Sequence, residues 1–398
     1  MEKRKIYILS GLIMFLCMGA IYSWSVFRIP LILELEKSSG HHINATMAQM
    51  PYTIFLMFYS FTMPFSGKLI KKLNPKIICI IGSLLVGFAW LLAGESDTIY
   101  KIILSYGVLG GIGVGIIYGV PIAVVSEWFP DKKGFAVGIT LMGFGLSPFI
   151  SAPVSNFLIE NYGVFNAFKI MGITFIILLS LISLIFKFPT EKHSVVEENK
   201  TDLNSREMIR TKSFYALWIC FIIGTYIGLS VVGIATTYAI EVVGLNKQFA
   251  TYLLSFFAIF NGLGRPLFGF LVDKLGTKKT IYLSYILIIT ASLLQIFKGH
   301  NIYFFVIGFV LFFMNLGGWL SIVPAANINI FGRKFSTQNY GILFTAYGIG
   351  AFFQGMIGGY IKEKFGSYIY MFYPFIGLCV IGIFITTFAL KKIKYDFE

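Results

Sequence analysis

The chain has 398 residues, of which 57% are hydrophobic and 13% charged. A soluble domain carries about 25% charged residues, so this composition excludes an ordinary soluble enzyme, a disordered chain and a coiled coil. Lys and Arg outnumber Asp and Glu by 32 to 18, a formal net charge of +14. That balance admits a nucleic-acid partner until the placement of the charges is considered.

Apolar runs of about 20 residues, the length that crosses a bilayer, begin directly after Lys3-Arg4-Lys5. The first, 6–28, is too long for a signal peptide and has no clear small-residue cleavage site. It is followed by 48–69, 76–94, 99–125, 135–158, 167–188, 214–240, 249–272, 279–297, 302–325, 338–361 and 368–390. We expect twelve transmembrane helices, an all-α integral membrane fold. The stretch Pro189–Ser213 is polar and mixed in charge. It divides the chain into an N-terminal six-helix bundle (1–188), a cytoplasmic linker (189–213) and a C-terminal six-helix bundle (214–398).

An even number of spans puts both termini on one side, and basic loops mark the cytoplasm. With cytoplasmic termini, 23 Lys and Arg fall inside and 7 outside, leaving Arg28 and Arg265. The expected location is a cell (inner) membrane, multi-pass, with both termini cytoplasmic. The positive charge then faces anionic lipid, and no nucleic-acid partner is needed. The cysteines Cys17, Cys79, Cys220 and Cys379 lie in apolar runs without metal or redox spacing. No cofactor signature and no metal-ligand set stands out.

The two halves repeat. Gly67-Lys-Leu-Ile-Lys71-Lys-Leu-Asn74-Pro75-Lys76 follows the second span, and Gly269-Phe-Leu-Val-Asp273-Lys274-Leu-Gly276-Thr-Lys278 follows the eighth. Phe129 and Phe331, Gly138 and Gly341, and Gly145 and Gly348 recur at nearly the same offset. Parallel repeats of this kind place a substrate site between the halves. The second loop resembles the signature loop of the major facilitator superfamily. In that resemblance Asp273 and Lys274 are gating residues at a helix end. The first copy departs, with Lys71 in place of the acid.

Three stretches carry a narrower resemblance. They are Gly19-Ala-Ile-Tyr22-Ser23-Trp24-Ser25-Val26-Phe27 with Pro30, the glycine-rich run from Gly107 to Gly119 leading into Trp128-Phe129-Pro130-Asp131-Lys132-Lys133-Gly134, and Asn261-Gly262-Leu-Gly264-Arg265. Together they resemble the oxalate:formate antiporter family, relatives of the monocarboxylate transporters. The resemblance implies transport of organic anions by alternating access.

Charged side chains inside a span are costly and usually functional. All 18 carboxylates lie in loops, tails or helix ends, and the four His lie in loops. Arg265 alone is well inside a span, about 7 Å from its centre at 1.5 Å per residue. Asn261 is one turn before it on the same face. A guanidinium fork suits a carboxylate, and the family resemblance gives this arginine that role. Tyr118, Tyr347, Trp319 and Tyr22 are further candidates for the substrate site, as is Asn315, one turn from Trp319. Arg28, near the end of the first run, reads as an interfacial anchor.

Relatives specialised for the oxalate dianion resemble this chain after Thr345-Ala346 but carry a lysine where it has Tyr347. One cavity cation favours a monoanion. The expected function is secondary active transport of small monocarboxylates of the lactate, pyruvate and formate class, with Arg265 on the carboxylate. Partners are the organic anion, a co-transported proton or a counter-anion, and the bilayer. The alternatives are an oxalate:formate-type exchanger, a transporter of an unrelated solute, a channel and a transport-inactive receptor. No enzyme signature is present.

Overall fold

The computed structural model describes residues 2–40, 42–70, 72–129, 133–189, 202–332 and 334–391. The chain is helical. The first span is α1 (Glu2–Met18), a 3-10 turn (Gly19–Ser23) and α2 (Trp24–Ser39) in one rod. Then come α3 (Ala45–Leu69), α4 (Pro75–Ala93), and α5 (Ile99–Ile102) joined through a π-helical segment to α6 (Gly110–Trp128). The first half closes with α7 (Lys133–Tyr162) and α8 (Val164–Ser183). The short α9 (Ser205–Met208) precedes the second half: α10 (Lys212–Glu241), α11 (Lys247–Leu275), α12 (Thr277–Lys298), α13 (Ile302–Phe331), α14 (Ser336–Leu343) with α15 (Thr345–Phe365), and α16 (Phe372–Phe388).

Among the described residues, eleven helical rods are long and apolar enough to cross a membrane. The twelfth expected span is α3, whose 25 residues reach about 37 Å at 1.5 Å per residue. It is less apolar because polar residues on it turn inward rather than toward lipid: Thr53 and Ser60 meet the α14–α15 rod, and Gln49 accepts from Arg28 of α2. The fold is therefore the expected pair of six-helix bundles.

Capping residues set the helix starts. Asn44, Asn74, Thr98, Thr211, Asn246 and Asn301 each accept a hydrogen bond from a first-turn amide, which satisfies donors that the helix leaves free. The first span runs eleven residues beyond its expected end. Pro30 sits inside α2, and the helix stops only at Gly40, whose φ of 69° forms a left-handed cap.

The halves meet along two helix pairs, α3 with α15 and α7 with α11. At the first, Gly348 approaches Ser60; at the second, Gly145 approaches Gly262, where a Cβ would lie 3.0 Å from the backbone nitrogen. These are equivalent positions of the repeat. Small residues there let the backbones close together, as they do between membrane helices generally.

Nearly half of the expected linker, Thr190–Thr201, lies outside the described residues. Its last part packs on the second half: the Leu203 amide donates to the Phe331 carbonyl, and the Asn339 side chain donates to the Leu203 carbonyl. Lys71 and Pro130-Asp131-Lys132 also lie outside the described residues.

Candidate functional site

Arg265 sits just before Pro266 in α11 and is 1% exposed. Its Nη1 donates to the Leu141 carbonyl of α7, across the boundary between the halves. The guanidinium carbon lies 6.0 Å from the centre of the Phe144 ring. Among the described residues, Nε and Nη2 have no hydrogen-bond partner. One turn earlier, Asn261 is fully buried against Gly317, and neither its Oδ1 nor its Nδ2 is partnered. One face of α11 thus carries several orphaned polar atoms and a full charge. Each unsatisfied buried polar group costs about 1–3 kcal/mol, more when charged. Among the described residues the buried charged side chains are Arg265 and Arg28, so no buried carboxylate neutralises either.

An aromatic box encloses the guanidinium. Tyr118, from α6, touches the rings of Tyr59, Phe144 and Phe344. Tyr22 packs edge-on to Phe144, and Phe344 stacks on Tyr347 with ring centres 5.0 Å apart. The Tyr340 ring meets Phe344 edge-on, with ring centres 5.6 Å apart. Tyr22 and Tyr347 come from opposite halves, and their hydroxyls are hydrogen-bonded at 2.7 Å.

Both of these tyrosines stand where a helix is interrupted. Tyr22 is in the 3-10 turn Gly19–Ser23, and Tyr347 follows the break between α14 and α15 at Phe344. At the interruption the Phe344 carbonyl accepts from the Tyr347 amide at 2.9 Å and from Ser60 Oγ of the other half at 2.6 Å, and Ser60 Oγ in turn accepts from the Gly348 amide at 2.9 Å. Broken helices in membrane proteins occur where the freed backbone is satisfied by neighbours or lines a site.

Of the residues picked out from sequence, Arg265, Asn261, Tyr118, Tyr22 and Tyr347 are brought together. Trp319 is not part of the box. It lies one layer behind, against Phe221, Gly224 and Tyr285, with its Nε1 unpartnered. Asn315 is satisfied inside the second half, accepting from Ser284 and donating to the Leu311 carbonyl. Asp273 and Lys274 are exposed at the end of α11, about 12 Å along the helix from Arg265.

Tyr59 and Tyr340 were missed. Tyr340 lies two helical turns before Tyr347 on the same face, a spacing visible in the sequence. Arg28 was misjudged: it is 5% exposed rather than interfacial, and it donates to Gln49 Oε1 and to Thr237 Oγ1.

Two helical bundles closing on a buried, unneutralised cation define a membrane transporter. Residues 6–327 match the family model described as Major Facilitator Superfamily. The chain belongs to that superfamily. It is 31% identical to the oxalate:formate antiporter of Oxalobacter formigenes, over 90% of this chain and 85% of that protein. It is 23% identical to monocarboxylate transporter 12-B of Danio rerio, over 83% and 76%. Among solved structures, the nucleoside transporter NupG superposes with a TM-score of 0.73 at 13% identity, over 97% of this chain and 100% of that one. A bacterial homologue of the lysosomal transporter Spinster gives 0.67 at 14%, over 98% and 95%.

Proposed function

We propose that the protein carries small organic anions, monocarboxylates of the lactate, pyruvate and formate class, with Arg265 binding the carboxylate. The observation that carries this reading is the orphaned face of α11: Arg265 Nε and Nη2, with both polar atoms of Asn261, buried and unpartnered. A carboxylate supplies the acceptor pair that a guanidinium fork matches, and its other substituents meet apolar rings. The Tyr118 and Tyr22 hydroxyls stand ready as further donors.

The mechanism is alternating access. Bodies 1–188 and 214–398 rock about the site, separating first along one end and then along the other, with the linker and both termini on the cytoplasmic side of the inner membrane. The Tyr22–Tyr347 bond and the bond from Arg265 to Leu141 are made between the halves, so both break and re-form in each cycle. Asp273 and Lys274 sit where a latch at the cytoplasmic helix ends would form.

Coupling is by anion exchange. The empty carrier holds Arg265 uncompensated, which hinders its return; the loaded carrier holds it neutralised. A proton symport through an internal acid lacks a buried carboxylate among the described residues. A second reading, oxalate:formate-type exchange, is favoured by the 31% identity with that antiporter. Against it stands the single cation in the box, since a dianion there keeps a net buried charge.

The test is uptake of labelled lactate, pyruvate, formate and oxalate into proteoliposomes, with a pH gradient or with internal counter-substrate. Monocarboxylate uptake should be stimulated by internal counter-substrate and should vanish in Arg265→Ala. Uptake unchanged by that substitution would refute the role of Arg265. Oxalate exchange alone would establish the second reading.

A further inference from the structure

Arg28 is a second buried cation that the site above does not use. It follows Tyr22 by six residues, about 9 Å further along the rod, toward the end away from the chain termini. Nη1 donates to Gln49 Oε1 at 3.1 Å, and Nη2 donates to Thr237 Oγ1 on α10 of the other half. Both acceptors are neutral. The charged groups nearby are engaged elsewhere: Glu241 pairs with Lys362, and Glu363 accepts from the amide and hydroxyl of Thr46. Among the described residues no carboxylate pairs with Arg28.

The surroundings form a pocket. A narrow cleft between the halves, about one water in volume, is lined by Arg28, Gln49, Gln354, Gly358 and Tyr368, so an anion enters it only as the halves part. Gln49 is 4% exposed, yet its Nε2 has no partner among the described residues. The Tyr368 ring lies between two cations, Arg28 at 5.9 Å and Lys362 at 5.3 Å. Buried charge without a counter-charge is destabilising unless a ligand supplies one. A cation, a free amide donor and an aromatic wall together suit a small carboxylate.

The geometry points to a second carboxylate-binding site at Arg28, a capture position occupied before the anion reaches Arg265. This rests on the anion-transport reading above. The anion takes the place of Thr237 on Nη2. Because that bond joins the two halves, capturing the anion and loosening this end of the protein are one event. Gln49 Nε2 donates to the captured anion and Tyr368 covers it.

The experiment measures labelled lactate transport in proteoliposomes of uniform orientation, with each face addressed in turn. Arg28→Gln should raise KM at the face near Arg28 by about tenfold or more, the worth of a charge-assisted bond. KM at the opposite face and kcat should stay unchanged, and Arg28→Lys should recover part of the loss. Thr237→Val keeps the cation but removes the bond between the halves; KM should stay the same or fall. If Thr237→Val raises KM as Arg28→Gln does, Arg28 is a strut and the proposal is overturned. An equal rise at both faces overturns it too. Should Arg28→Gln fail to fold, Arg28→Lys carries the same test with a smaller rise.

Binding separates this inference from the function of the central site. Saturation-transfer NMR with lactate, formate and oxalate, on purified Arg265→Gln protein, should retain a signal that Arg28→Gln then removes. That result upholds the Arg28 site even if Arg265→Ala leaves transport intact. No signal, or a signal indifferent to Arg28→Gln, overturns it.

Discussion

Asn261 precedes Arg265 by one turn, so Asn261→Asp would place a carboxylate beside the guanidinium. When ionised, the new carboxylate occupies Arg265 and competes with substrate; when protonated, it releases it. Proximity to the cation lowers its pKa. Its pKa then lies below the ordinary Asp value of about 4, so it stays ionised and uptake should be weak across pH 5 to 8, far below that of the parent protein. Initial rates of lactate uptake from pH 5 to 8 check this. The central residues were legible because a charge in mid-span has few neutral explanations. The aromatic box was only half legible. With 17% of the chain aromatic, Tyr59 and Tyr340 had no contrast against their background. Arg28 was misjudged for a different reason. A charge and Pro30 in quick succession read as the end of a span, but the helix tolerates both and ends at Gly40. Burial of Arg28 depends on Gln49 and Thr237, which sit on other helices.

At the scale of the helices, close packing sets the geometry around Arg265. Gly264 faces the backbone of α13, and a Cβ there would lie 2.1 Å from the Met314 carbonyl oxygen. A backbone atom has little freedom to yield. Gly264→Ala should therefore destabilise the protein by about 1–3 kcal/mol, the usual cost of overpacking, and displace Arg265 next to it. Thermal unfolding in detergent measures the first effect, and a raised KM at both faces reports the second. Helix number and order were readable from apolar runs. The helix breaks at Gly19–Ser23 and at Phe344 were not, since each depends on acceptors and donors supplied by another helix. The break at Phe344 exists together with Ser60, 284 residues away in the chain.

For the whole molecule, the repeat in the sequence becomes a symmetry of contacts. Gly145 with Gly262 and Gly348 with Ser60 are the same crossing made twice. The halves must part at one end in each phase of the cycle. At the end that carries the termini, a Cβ on Gly341 would lie 3.8 Å from the Pro64 Cβ, the separation that a disulfide needs. Pro64→Cys with Gly341→Cys should cross-link under oxidation, stop transport, and recover under reductant. Cross-linking without loss of transport would show that this end stays closed throughout.

The imbalance of buried charge has an electrical consequence. Among the described residues, no buried acid stands near the buried Arg265. With a monoanion bound, the moving centre is neutral, and the loaded carrier turns over without sensing the membrane potential. Empty, the same centre moves as one positive charge, and the field does work on it of about 2.3 kcal/mol per 100 mV for a full crossing. Exchange of one lactate for another should therefore be flat with voltage, while net uptake, which needs an empty return, should be steeply voltage-dependent. Valinomycin-clamped potassium gradients across the proteoliposome measure both. The membrane potential then acts as a rectifier, setting the direction in which an unloaded carrier comes to rest.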